Sequence, residues 1–156
     1  MGRYVNSGNS AFQVALNSEI YINKTELISY TNKVLDTNSA LICSSRPRRF
    51  GKSITANMLV AYYSRGCDSR EMFEGKKISS DETFREHLNK YDVIHFDVQW
   101  CRASVRSAEA TVSYIERNII DELRMLYPDE VPEKTGSLPD VLDQINNASG
   151  RKFFNS

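Results

Sequence analysis

The chain has 156 residues, 40% of them hydrophobic, with 20 lysines and arginines against 20 aspartates and glutamates. Length and apolar content suffice for a folded domain and exclude a chain disordered throughout, and the balanced charge excludes an overall basic field that would hold nucleic acid non-specifically. Cys43, Cys67 and Cys101 lack Cys-x-x-Cys spacing and only His87 and His95 could join them, which argues against a zinc site or a disulfide framework.

Taken from the N-terminus, the chain shows no charged-then-apolar leader, and Asn6 stands where a myristoylation motif needs Ser or Thr. No apolar run approaches the roughly 20 residues needed to cross a bilayer. The expectation is a cytoplasmic protein with reduced thiols and no membrane partner. Thr25 to Leu35 predicts a helix with Leu27, Ile28, Thr31, Val34 and Leu35 near one face, ended by Asp36-Thr37-Asn38-Ser39. The apolar run Ala40-Leu41-Ile42-Cys43 predicts a buried strand that delivers a loop. Ile54 to Ser64 predicts the next helix, with Met58, Leu59 and Tyr62 at helical spacing and Gly66 as a stop.

Tyr91 to Val98 predicts a second strand through Val93, Ile94, Phe96 and Val98, with Asp97 near its end. Between Ser107 and Leu126, the residues Val112, Ile115, Ile119, Leu123 and Leu126 recur at three- and four-residue intervals before Pro128, the pattern of a helix packed on a core. Leu138-Pro139-Asp140 opens a further helix through about Ile145, closed by Asn146 to Gly150. Arg151 to Phe154 then reads as the start of another strand. The acidic stretch from Asp121 to Asp143 reads as a solvated face, and the lone acids Asp97 and Glu116 as surface or cap residues rather than metal ligands.

The chemistry concentrates between Leu41 and Ser53. In Gly51-Lys52-Ser53, a glycine lets backbone N–H groups close on phosphate oxygens, a lysine can reach the β/γ-phosphates, and a hydroxyl can ligate Mg²⁺. The helix that follows adds an N-terminal dipole favouring an anion. Arg46 occupies the position where the usual G-x-x-x-x-G-K-[ST] pattern has its first glycine. Arg46, Arg48 and Arg49 are open to two readings, guanidinium groups around bound phosphates or an exposed basic turn.

Three ordered motifs carry a family resemblance. They are Tyr21-Ile22-Asn23-Lys24-Thr25, Arg46-Pro47-Arg48-Arg49-Phe50-Gly51-Lys52-Ser53 and Met72-Phe73-Glu74-Gly75-Lys76-Lys77-Ile78. From about Phe12 to Gln99 the chain resembles the predicted AAA-ATPase-like family of bacteria and archaea, in which an arginine-rich loop replaces the glycine-rich start of the phosphate loop. Asn23 departs from the aspartate usual in that family. The resemblance implies an α/β fold, a P-loop NTPase-type parallel sheet with flanking helices, with ATP and Mg²⁺ as cofactors. It implies nucleotide contacts from Arg46, Pro47, Arg48, Arg49, Phe50, Gly51, Lys52 and Ser53, with Ser53 also the Mg²⁺ ligand.

In the resembled family, a strand ending in paired acids follows at about the place where this sequence stops. A nuclease-like domain of the PD-(D/E)xK kind, a route to nucleic-acid partners, often comes after it. No such pair of acids follows Arg151-Lys152-Phe153-Phe154. The expectation is therefore the N-terminal part of an AAA-ATPase-like P-loop domain, best matched over 12–99 and helical over 100–156, truncated before its Walker B strand and with unknown catalytic residues. Three functions stay open at this point: an ATP-binding, ancestrally ATP-hydrolysing module; a truncated, non-catalytic remnant; and a nucleic-acid-binding element using the arginine-rich loop.

Overall fold

Helices dominate the computed structural model, which describes residues 2–45, 47, 50–103, 105, 107–131 and 136–155. The chain divides into two units, one formed by Gly8–Lys90 and the other by Met1–Ser7 together with Tyr91–Ser156.

The Gly8–Lys90 unit is built around three helices, α1 (Ser10–Leu16), α2 (Glu26–Val34) and α3 (Lys52–Tyr63). Two short helices, α4 (Arg70–Phe73) and α5 (Phe84–His87), flank a 3-10 turn over Lys77–Ser80. Its core is aromatic. Phe12 of α1 stacks on Phe73 with ring centroids 5.4 Å apart, and Tyr62 meets Phe73 edge-on at 5.3 Å and Tyr63 at 4.8 Å. Such edge and offset geometries suit the ring quadrupole. α3 buries Met58, Val60, Ala61, Tyr62 and Tyr63, more than a single stripe, as befits the central helix of the unit.

The tyrosine hydroxyls brought inside with those rings are satisfied by a polar network. Tyr63 Oη donates to Asn32 Oδ1 at 2.6 Å, and Asn32 Nδ2 donates to Tyr62 Oη at 3.1 Å and to Thr83 Oγ1 at 2.9 Å. Thr83 Oγ1 in turn donates a hydrogen bond to Asp81 Oδ1 at 2.6 Å. Buried Thr31 and Asn32 on α2 are therefore network members, whereas the sequence pattern had placed only apolar residues and Thr31 on that face. At the other end of α3, Asn89 Nδ2 caps orphan carbonyls of Ala61 and Ser64 at 3.0 and 2.9 Å.

The predicted strand over Ala40 to Cys43 does not form. Those residues carry no regular structure, and Leu41 is 98% exposed. A strand is stable only when its backbone N–H and C=O groups find a ladder, and the Gly8–Lys90 unit offers no strand among the described residues.

The second unit contains the sheet: β1 (Asp92–Ile94) and β2 (Phe153–Asn155) pair in parallel, with Val93 opposite Phe154. Three helices, α6 (Val98–Ala103), α7 (Ala108–Leu126) and α8 (Leu138–Ser149), make the crossover that a parallel pair requires. Val5 forms an antiparallel bridge to Ile94. The architecture is thus mixed helix with a small two-stranded parallel sheet, consistent with the α/β class. The predicted strand over Tyr91 to Val98 is cut to three residues, because Asp97 Oδ1 accepts the Gln99 N–H at 2.8 Å and turns the chain into α6.

α7 and α8 start where their caps place them. Ser107 Oγ accepts the Ala110 N–H at 3.1 Å, and Asp140 Oδ2 accepts from both the Ser137 N–H and its hydroxyl at 2.9 and 2.8 Å. α8 runs past Ile145 to Ser149, where Gly150 at φ 68° ends it. α7 buries Thr111, Ile115, Ile119 and Leu123, while Val112 and Leu126 of the expected stripe are 57% and 42% exposed. The core of this unit joins Ile115, Ile119 and Leu123 to Val5, Ile94, Val141 and Ile145.

Candidate functional site

Gly51 begins the site. At φ 71° and ψ 30° it takes the left-handed conformation that ends the loop and starts α3, a conformation costing other residues roughly 1–2 kcal/mol. The Gly51 carbonyl accepts both the N–H and the hydroxyl of Thr55, each at 3.0 Å, which locks the first turn. The N–H groups at the head of α3, from Lys52 to Ile54, have no carbonyl one turn earlier in the helix. Lys52 and Ser53 lie on that turn with exposed side chains. A positive helix end, a lysine and a hydroxyl are thus gathered within one turn, a constellation suited to an anion.

A second cation reaches the same loop from far along the chain. Lys24, just before α2, donates its ammonium to the Phe50 carbonyl at 2.9 Å. A Cβ added at Gly51 would lie 2.9 Å from that ammonium nitrogen. The backbone around Lys24 is held in turn by its neighbours. Asn23 Oδ1 accepts the Thr25 N–H at 3.0 Å and the Thr25 hydroxyl at 2.8 Å, and buried Thr25 Oγ1 accepts the Ile78 N–H at 3.3 Å. Lys77 pairs with Glu26 at 2.8 Å, and Lys76 sits 5.8 Å from the Tyr21 ring centre.

The three sequence motifs therefore meet in space: residues 21–25 contact 50–51 on one side and 76–78 on the other. Asn23, which stands where the resembled family has an aspartate, supplies through its side-chain carbonyl the acceptor that holds Thr25, a local bond that needs no negative charge. Burial pushes the Tyr21 hydroxyl above its ordinary pKa. That phenol stays neutral and packs edge-on to Phe12 at 6.0 Å.

Of the residues predicted for the site, Gly51, Lys52 and Ser53 are brought together at the start of α3. Phe50 contributes its carbonyl while its ring is 59% exposed, and Pro47 is exposed. Arg46, Arg48 and Arg49 lie outside the described residues. Lys24 and Thr25 were not predicted as site residues, although the first motif had flagged their positions. Among the described residues, no group of three or more His, Cys, Asp or Glu side chains is placed to hold a metal ion, and no helix is long and apolar enough to cross a membrane.

A cavity of about 720 Å³ lies elsewhere, in the unit containing the sheet, walled by Ile94, Phe96, Val112, Ile115, Ile119 and Leu142. Val112 is exposed because it faces this space. Its lining is mostly apolar and its charged members, Arg102 and Glu116, are of opposite sign, so the head of α3 and not the cavity is the candidate site for an anion.

Comparison with known proteins agrees with the motifs. The family model described as predicted AAA-ATPase, AAA-ATPase-like, matches residues 8–154, nearly the whole chain. No curated protein and no solved structure matches.

Proposed function

This chain belongs to the predicted AAA-ATPase-like family, and from that premise we propose that it is a nucleotide-binding module taking ATP with Mg²⁺ at the head of α3. The observation that carries the reading is the left-handed Gly51 opening α3, with Lys52 and Ser53 exposed on the first turn and Lys24 on the preceding carbonyl. Gly51 gives the backbone its close approach, Lys52 meets the β/γ-phosphates, and Arg46, Arg48 and Arg49 add charge around them.

Ser53 offers one hydroxyl to a Mg²⁺ ion. Ser53 is the residue of this turn that would hold the ion, and the nucleotide's phosphates would supply further oxygen ligands. Bound Mg²⁺ would supply charge neutralisation between the phosphate oxygens. The left-handed Gly51 at the turn from loop into α3 also supports a P-loop NTPase-type fold, although the strand expected to deliver that loop is absent over Ala40 to Cys43.

The test is a thermal melt of the full chain with and without Mg²⁺-ATP. Ligand at about a hundred times its Kd stabilises the folded state by about 2.7 kcal/mol. A Tm that rises in the parent chain and not in Lys52→Ala supports a working phosphate loop. A cooperative melt that ATP leaves unmoved overturns the reading.

A further inference from the structure

We propose that Lys24 is a positioning residue for this site, aiming the backbone of the phosphate loop by anchoring the peptide before Gly51; the inference rests on the nucleotide-binding reading above. In a trans peptide the carbonyl and the N–H point in opposite directions, and the structure contains no cis peptide bond. The Lys24 ammonium holds the Phe50 carbonyl at 2.9 Å. Fixing that oxygen turns the Gly51 N–H, which belongs to the same peptide plane, to the opposite side. That N–H leads directly into those of Lys52 and Ser53, the donors an anion at the head of α3 would meet.

Gly51 has no side chain to resist rotation of that plane, and its left-handed φ gives it little steric restraint. An external hydrogen bond is what selects one orientation. A charged donor makes that bond stronger than a neutral one would. The lysine is well supported for this work. Its backbone lies between Asn23 and Thr25, which hydrogen-bond to one another, and Thr25 is fastened to Ile78. The side chain is half-buried, which limits the other positions its ammonium can take. Lys24 therefore acts before any ligand arrives, by pre-ordering donors that a free loop would have to order at the moment of binding.

Calorimetric titration of Mg²⁺-ATP, and separately of inorganic pyrophosphate, into the full chain and its Lys24→Met and Lys24→Arg variants tests this, together with ligand-free melts. The expected result is that Lys24→Met weakens both ligands about tenfold, the size of one charge-assisted hydrogen bond. Its ligand-free Tm should stay at the parent value, and Lys24→Arg should recover most of the affinity. The Gly51 amide resonance should move on adding pyrophosphate in the parent and in Lys24→Arg, and move much less in Lys24→Met.

Parent-like binding by a folded Lys24→Met, with binding still lost in Lys52→Ala, overturns the role of Lys24 and leaves the nucleotide reading intact. A ligand-free Tm that falls together with affinity, unrescued by arginine, also overturns it, because Lys24 would then be a structural brace. A parent chain that melts cooperatively and binds neither ligand removes the nucleotide reading itself and the assignment with it. Lys24→Gln, uncharged and too short to reach the carbonyl in the same way, takes the place of Lys24→Met if that variant does not melt cooperatively.

Discussion

Thr25 and Ile78 are joined across 53 residues of sequence: the Ile78 N–H donates to Thr25 Oγ1 at 3.3 Å, while that hydroxyl donates to Asn23 Oδ1 at 2.8 Å. One buried hydroxyl thus closes the first motif on itself and ties it to the third. Thr25→Val keeps the shape and removes the acceptor, leaving a buried N–H without a partner at a cost of about 1–3 kcal/mol. The expected Tm loss is roughly 2–4 °C for each kcal/mol in a chain of this size. Thr25→Ser should restore most of it, and a Thr25→Val chain that melts like the parent would show that the bond carries no stability.

Gly51→Ala should destabilise by a comparable amount for a different reason. Its φ of 71° is strained for any L side chain, and the new Cβ would stand 2.9 Å from Lys24 Nζ. The lysine can swing away, so the lasting cost is roughly 1–2 kcal/mol of backbone strain at Gly51. Hydrogen exchange should report faster opening of the first turn of α3, with protection around Met58 to Tyr63 much less affected.

Acid should uncover the network inside the Gly8–Lys90 unit. Hydrogen bonds from the Thr83 hydroxyl, then from Ser29 and the Thr83 backbone, hold the Asp81 carboxyl down to about 2. A depressed carboxylate contributes stability that is complete above its unfolded pKa and is lost as pH falls through the folded one. The contribution of Asp81 should therefore fade between about pH 4 and pH 2. Asp140, lowered by its bonds to Ser137, adds loss in the same direction. The difference in Tm between the parent and Asp81→Asn should shrink across that window, and a constant difference would count against the network.

Glu122 on α7 gathers the first residues of the chain. Its carboxylate accepts the N–H groups of Arg3, Tyr4 and Val5 at 2.8, 2.9 and 2.9 Å, and a side chain at Gly2 would collide with it. Glu122→Ala should cost about 2 kcal/mol, since charge-assisted bonds at a half-buried site are lost together. Exchange of the amides at residues 3–5 should rise well above the global rate. Glu122→Gln should do nearly as badly, because its amide nitrogen would face donors.

Much of the fold was legible because it is local. α2, α3, α7 and α8 announce themselves through apolar spacing and through Ser107, Pro139 and Gly150 at their ends, whereas the Ser137 cap of α8 emerged only in the structure. β1 and β2 were found but overextended or only begun, since short strands take their limits from neighbours. α1 was missed because a seven-residue helix burying only Phe12 carries almost no period. The Leu41 strand was wrong because apolar content says nothing about whether a ladder is present. At the candidate site, Gly51-Lys52-Ser53 was readable as a motif. Lys24 was not, since its partner is a backbone carbonyl 26 residues away, and a carbonyl leaves no mark on the sequence.

The unpaired run at Leu41 and Ile42 bears on how the protein behaves in concentrated solution. An exposed apolar segment without strand partners among the described residues is a template for strands of other molecules. The chain carries no net charge at pH 7 to keep its copies apart. A lysine in place of Leu41 should therefore lower light scattering in concentrated solution relative to the parent, and equal scattering would show that this segment has no part in association.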